Sequence, residues 1–369
     1  MLRPRSIPAF APALDRLVVR AALARGAAWP RTGSDLAAIV AAACGRADAH
    51  WVPHPEDALI RAVKDRTHGP IAAPAWGVAA FAAPLGDSVV WMPPAPGRMD
   101  PGPDEVAAAL DAGATAVLHA PVAGDCAAIN AIATLCSERG VPLALDARMA
   151  SGGRVLDGPP GAWGDVALLA VHGEPGPAPC PGAVLAGATT SNTNGVDSAS
   201  SLGHSLALLR DAVGSEPRVR RISRSQGGTT VRARQEGAAP SWAFAAAAAR
   251  LQQSAERASQ RARHARTLRA NLAHVEGVTV IEEPTGVQSA SCVLPLLADH
   301  RDAIAAHLAE AGIPTLQTLG GWLSRDDRPD RATHVAEHAL LLPLHPFYRP
   351  DDLVFIGEEL RRGALRAGT

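Results

Sequence analysis

The sequence predicts an α/β protein: a large first domain built on a mainly parallel sheet, then a small α+β domain. Three observations predict it. Short apolar runs that read as buried strands alternate with helical segments through the first two-thirds of the chain, the pattern of a parallel sheet covered on both faces. A long Ala- and Arg-rich helix follows, over roughly residues 241–275. Beyond it the order changes to strands and helices of a smaller unit. The expected boundary gives a large domain at 1–240 and a small one at 241–369 that begins with the long helix. A chain of 369 residues is long for one core and fits two.

The elements follow in order. Ser34 is expected to cap a helix, SDLAAIVAAACG, that stops at Gly45. Trp51 and Val52 form a short extended segment, and EDALIRAVKD is the next helix. Residues 71–76 are an apolar run, 88–92 a strand and 104–111 a helix. ATAVLHA, residues 114–120, reads as a buried strand. CAAINAIATLCSERG is an amphipathic helix ending at Gly140, with Cys126, Ile129, Ile132 and Leu135 at helical spacing. VPLALDA and DVALLAV are two more buried strands. Residues 173–182 are a Pro/Gly-rich loop, and residues 186–204 are small and polar. After the long helix come strands VTVIEE and SASCVLPLL, helix DAIAAHLAEAG, a strand near PTLQTL, a helix around ATHVAEHALL and a terminal helix PDDLVFIGEELRR.

Composition narrows the function. Hydrophobic residues make up 47%, the formal net charge is −1 and the pI is about 6.9. Nothing in that balance points to nucleic acid or an anionic membrane. The basic cluster Arg218, Arg220, Arg221 and Arg224 reads as a solvated face. Five scattered cysteines without CxxC spacing suit free thiols in a reducing cytoplasm, with no metal site. His54, Glu56 and Asp57 lack a defined ligand spacing. No stretch reads as a signal peptide or a bilayer span. The expected location is cytoplasmic.

The order of segments resembles the DegT/DnrJ/StrS sugar aminotransferase family, fold type I of the pyridoxal-phosphate (PLP) enzymes. The stretch HAPVAGDCAAINAIATLCSERGVPLALDARMASGG carries most of the resemblance. GAWGDVALLAVH is similar to the strand leading to the family's "SFxxTK" segment. GVTVIEEP, AAHLAEAGIPT and LLLPLHPFYRPDDL resemble its small domain. The resemblance implies a fold type I architecture, a homodimer or a heterodimer with a family paralogue, and a place in nucleotide-sugar or natural-product biosynthesis.

PLP chemistry needs an amine for the aldehyde, an acid for the pyridine nitrogen and an anion hole for the phosphate. The resemblance places the acid at Asp146. It places the amine at Pro175, which has none. The chain has one lysine, Lys64, in ALIRAVKD, where it reads as an ordinary exposed helix residue. The family's "SGTAAL" phosphate site falls on His54-Pro55-Glu56-Asp57-Ala58-Leu59. There a proline removes an amide and two carboxylates sit at the positive helix end. The family's Ser of "SF" is Ala170, its Gln of "DAAQ" is Met149 and its partner-subunit Asn is Thr230; Arg232 matches the family's Arg. Trp76 lies near the family's ring-stacking aromatic.

The expectation is therefore a degenerate family member, a pseudoenzyme acting as a partner subunit or as a binder of a sugar or other small polar metabolite. No cofactor is expected, with a vestigial PLP site at Asp146, Trp76, Thr230 and Arg232. The cleft would be lined by His119, Arg148, Glu56 and Asp57. The alternative is a PLP- or PMP-dependent sugar-modifying enzyme that uses His172 and Asp146 without a lysine, or a repurposed enzyme in the same cleft that needs no PLP.

Overall fold

The computed structural model describes residues 30–170, 183–187, 241–316 and 329–368, apart from positions 31, 47, 53, 77–80, 122, 157 and 285. In chain order its regular elements begin with α1 (Gly33–Ala43), β1 (Ala49–Val52), α2 (Pro55–Lys64), β2 (Ile71–Pro74), α3 (Ala82–Leu85) and β3 (Val89–Met92). Then come α4 (Pro103–Asp111), β4 (Ala116–His119), α5 (Ile129–Arg139), β5 (Leu143–Asp146), β6 (Arg154–Val155), β7 (Val166–Leu169) and β8 (Ala183–Ala186). The C-terminal part holds α6 (Ser241–Leu272), β9 (Val278–Val280), β10 (Val287–Gln288), β11 (Val293–Ala298), α7 (Arg301–Glu310), α8 (Asp330–His338), β12 (Ala339–Pro343) and α9 (Pro350–Ala367).

Seven strands form one sheet in the order β1-β8-β7-β5-β4-β2-β3. Strands β3, β2, β4, β5 and β7 are parallel, and β8 runs antiparallel to both β7 and β1. Strands β2, β4, β5, β7 and β8 are buried along their whole length, so they read as continuous apolar runs. Alternation sends Leu145, Leu169 and Val184 toward α1 and the start of α6, and Ala144, Leu168 and Leu185 toward α2. Parallel strands aligned in this way gather their carboxyl ends at one side, where open α/β sheets hold their sites.

The 32-residue α6 spans about 48 Å at 1.5 Å per residue and belongs to two cores. Ala243 and Ala246–Ala249 pack into the first with Leu36 and Leu145, while Ala265, Leu268 and Leu272 pack into the second with Leu294, Leu342 and Leu360. The second core lies between the antiparallel sheet β12-β11-β9 and α7 and α9. A third cluster joins Trp76, Met99 and Ala123 to Cys292, Val293 and Leu341, tying the carboxyl end of the large sheet to the C-terminal part.

Three local expectations differ from the structure. Helix α1 is capped by Thr32, not Ser34: Asp35 N donates to Thr32 Oγ1 at 3.1 Å and Thr32 N to Asp35 Oδ2 at 3.1 Å, the two halves of a capping box. Helix α5 starts at Ile129, because Asp125 Oδ1 accepts from Ala127 N at 2.9 Å and holds the preceding residues in a turn. It ends as expected at Gly140, whose φ is 65°. The residues Ala339–Leu341, expected to continue a helix, lie in strand β12 against β11. A short, fully apolar run does not distinguish the two by periodicity. Near PTLQTL the described residues show an isolated bridge, Leu316 with Leu341.

Candidate functional site

Asp146 closes β5 on the face shared with Ala144, the face that α2 covers. Helix α2 begins at Pro55 without a side-chain cap and carries Glu56 and Asp57 in its first turn, where carboxylates suit the positive helix end. Directly after Asp146 the chain turns back. Arg148 N donates to Asp146 Oδ1 at 3.2 Å, which returns the arginine side chain over its own strand end.

The guanidinium then joins strand to helix. Arg148 Nε donates to Asp146 Oδ1 at 2.8 Å and Nη2 to Asp146 Oδ2 at 2.7 Å, a bidentate fork. Its remaining arm, Nη1, donates to Glu56 Oε1 at 2.7 Å across 92 residues of sequence. The Phe81 ring lies 6.0 Å beneath the guanidinium carbon, within reach of a cation–π contact. The three side chains are 11% (Asp146), 26% (Arg148) and 24% (Glu56) exposed. Burial works against the arginine's charge, but Asp146 and then Glu56 more than offset it and raise its pKa above the ordinary arginine value.

Other sequence-predicted residues separate from this cluster. His119 pairs with Leu145 in the β4–β5 register, so it shares the face opposite Asp146. It is 1% exposed, and neither ring nitrogen has a partner among the described residues. Burial lowers its pKa from 6.5 to about 4, with Asp125 opposing. His119 is a buried residue on the sheet face opposite the Asp146–Arg148 pair. Trp76 is fully buried in the cluster with Met99, Cys292 and Leu341, so its ring packs as core. Asp57 is exposed next to Glu56. His172, Pro175, Thr230 and Arg232 lie outside the described residues.

Lys64 stands at the far end of α2. Eight residues from Glu56, it lies about 12 Å away along the helix axis. Its Nζ donates to Pro84 O at 2.7 Å and Leu85 O at 3.1 Å, closing the last carbonyls of α3.

On the opposite sheet face, a cavity of about 520 Å³ lies between α1, α6 and the loop after Arg148. Its walls include Val40, Cys44, Ala147, Gly152, Leu169 and Leu251. Burial pushes the Cys44 thiol up to about 11 against the pull of Arg46, which keeps it protonated and a poor nucleophile. No group of three or more metal-ligating side chains occurs among the described residues.

Residues 76–174 match the model of the DegT/DnrJ/EryC1/StrS aminotransferase family. The matched segment covers 99 of the chain's 369 residues. It spans Trp76, His119, Asp146, Arg148 and the His172 position. No curated protein matches the chain. Among solved structures, the aminotransferase TlmJ from Streptoalloteichus hindustanus is similar at 21% identity and a TM-score of 0.75, covering 98% of this chain and 100% of that one. A DegT/DnrJ/EryC1/StrS aminotransferase from Brucella abortus is similar at 19% identity and a TM-score of 0.67, covering 94% and 95%. Helicobacter pylori PseC, an aminotransferase of pseudoaminic acid biosynthesis, is similar at 13% identity and a TM-score of 0.72, covering 98% and 100%. At such identities the likeness establishes the fold: the chain is fold type I aminotransferase-like, as its segment order predicts.

Among the described residues, the positions that the resemblance assigns to the cofactor's ring acid and phosphate are already paired or negatively charged. Both oxygens of Asp146, the acid that would face a pyridine nitrogen, are engaged by Arg148. The helix start that would cradle a phosphate begins with a proline and presents Glu56 and Asp57. The lysine amine is held elsewhere. The sequence placed Arg148 in the cleft as a lining residue. Its link to Glu56 was missed. The one available signal was the Asp-x-Arg spacing at 146–148, which allows a local fork but does not reveal a partner on a distant helix.

Proposed function

We propose that this chain keeps the aminotransferase fold without PLP-dependent transamination, and acts as a partner subunit for a family paralogue or a binder of a small polar metabolite or sugar. The observation that carries this reading is Lys64. Covalent capture of the cofactor's aldehyde needs a free amine beside the acid. The only lysine in the chain sits at the wrong end of α2 with its ammonium on two carbonyls. The 520 Å³ cavity falls within the size range of small-molecule sites and supports the metabolite reading.

Co-expression with an active family member tests the partner role: a stable complex that changes the paralogue's kcat or KM is expected. The absence of any complex, together with robust transaminase turnover by the chain alone, overturns the proposal.

A further inference from the structure

We propose that Arg148 is a built-in cation: its guanidinium holds the first turn of α2 onto the end of β5 by joining the carboxylates of Asp146 and Glu56. Three observations carry this. The contact set is complete in geometry, with the Asp146 fork at 2.8 and 2.7 Å and the Glu56 bond at 2.7 Å. The two carboxylates come from different elements, a strand end and a helix start, so the arginine is the link between them. The cluster is about three-quarters shielded or more at each side chain and rests on Phe81.

Charge explains why a cation is needed here. Asp146 and Glu56 are two negative groups held by one positive partner, and Asp57 adds a third carboxylate to the same helix turn. Take the guanidinium away and two largely shielded carboxylates face one another across the gap. Removing one partner of a shielded ion pair leaves the other uncompensated, the costly way to break it. A planar fork answers both carboxylates at once. A lysine ammonium carries its three donors on one nitrogen and lacks the two-point fork that grips Asp146. The same guanidinium engages both oxygens of Asp146. This inference concerns the chain's own residues and stands apart from the proposed function: transaminase turnover would end that proposal and leave the experiment below unaffected.

The test is thermal unfolding of the full chain with three variants. Arg148→Ala is expected to melt lower by roughly 5 °C or more. Adding Glu56→Gln should restore at least half of that loss, because one of the two facing charges is gone. Guanidinium chloride, at a concentration too low to affect the wild type, should raise the melting point of Arg148→Ala, while equal sodium chloride should not. Should Arg148→Ala fail to accumulate as soluble protein, Arg148→Lys carries the test, with an intermediate loss expected. A melting point for Arg148→Ala or Arg148→Lys equal to wild type overturns the proposal. So does a loss in Arg148→Ala that neither Glu56→Gln nor guanidinium reduces.

Discussion

His119 and Asp146 end neighbouring strands of one sheet, and the protein treats them in opposite ways. Asp146 faces α2, is partly reached by water, and has its charge matched by Arg148. His119 faces the other side, is sealed in, and has no partner for either nitrogen among the described residues. The histidine remains neutral because burial opposes its charge. The aspartate lies within reach of a fixed cation. A polar group at a strand end is thus tolerated either by pairing or by neutralisation, and the face it points to decides which.

The largest expected effect comes from breaking the paired side. Arg148→Ala should cost about 2–3 kcal/mol, placed below the upper range for broken buried pairs because each side chain is about a quarter exposed or less. Denaturant unfolding measures it, and a midpoint unchanged from wild type would break the comparison at its stronger half.

The histidine side sharpens the comparison through pH. Its folded pKa, about 4, lies below the ordinary 6.5, so the unfolded chain binds the proton more readily. Its contribution to stability is whole above pH 6.5 and is lost as pH falls toward 4. By linkage that loss is about 2 kcal/mol at pH 5. His119→Leu should remove it: relative to wild type, the variant gains stability at pH 5 that it does not gain at pH 8. Equal differences at both pH values would show that His119 is not held neutral.

The smallest effect belongs to Lys64. Its two carbonyl bonds are near the surface, so Lys64→Ala should cost less than about 1 kcal/mol. The same variant should leave any absorbance change on adding PLP identical to wild type. A cofactor signal that disappears with Lys64 would overturn the structural role assigned to it.

The sheet was legible in the sequence because parallel strands buried on both faces are written as unbroken apolar runs, as in Val166–Leu169 and Ala116–His119. Gly140 marked the end of α5 for an equally local reason, a left-handed backbone. Strand β12 was not legible, since Ala339–Pro343 has no period and its pairing with β11 is tertiary. Within the site, the strand-end position of Asp146 could be read from its neighbours. The direction in which His119 points could not, because it depends on register with β5. Nor could the Arg148–Glu56 bond, which depends on where α2 docks.

The most direct measurement is an absorbance scan of the purified chain titrated with PLP and then with PMP, repeated after borohydride reduction. The account predicts no saturable cofactor band and no reducible adduct. A saturable band that borohydride fixes to the protein would contradict it, because an amine of the chain would then have condensed with the aldehyde of a bound cofactor.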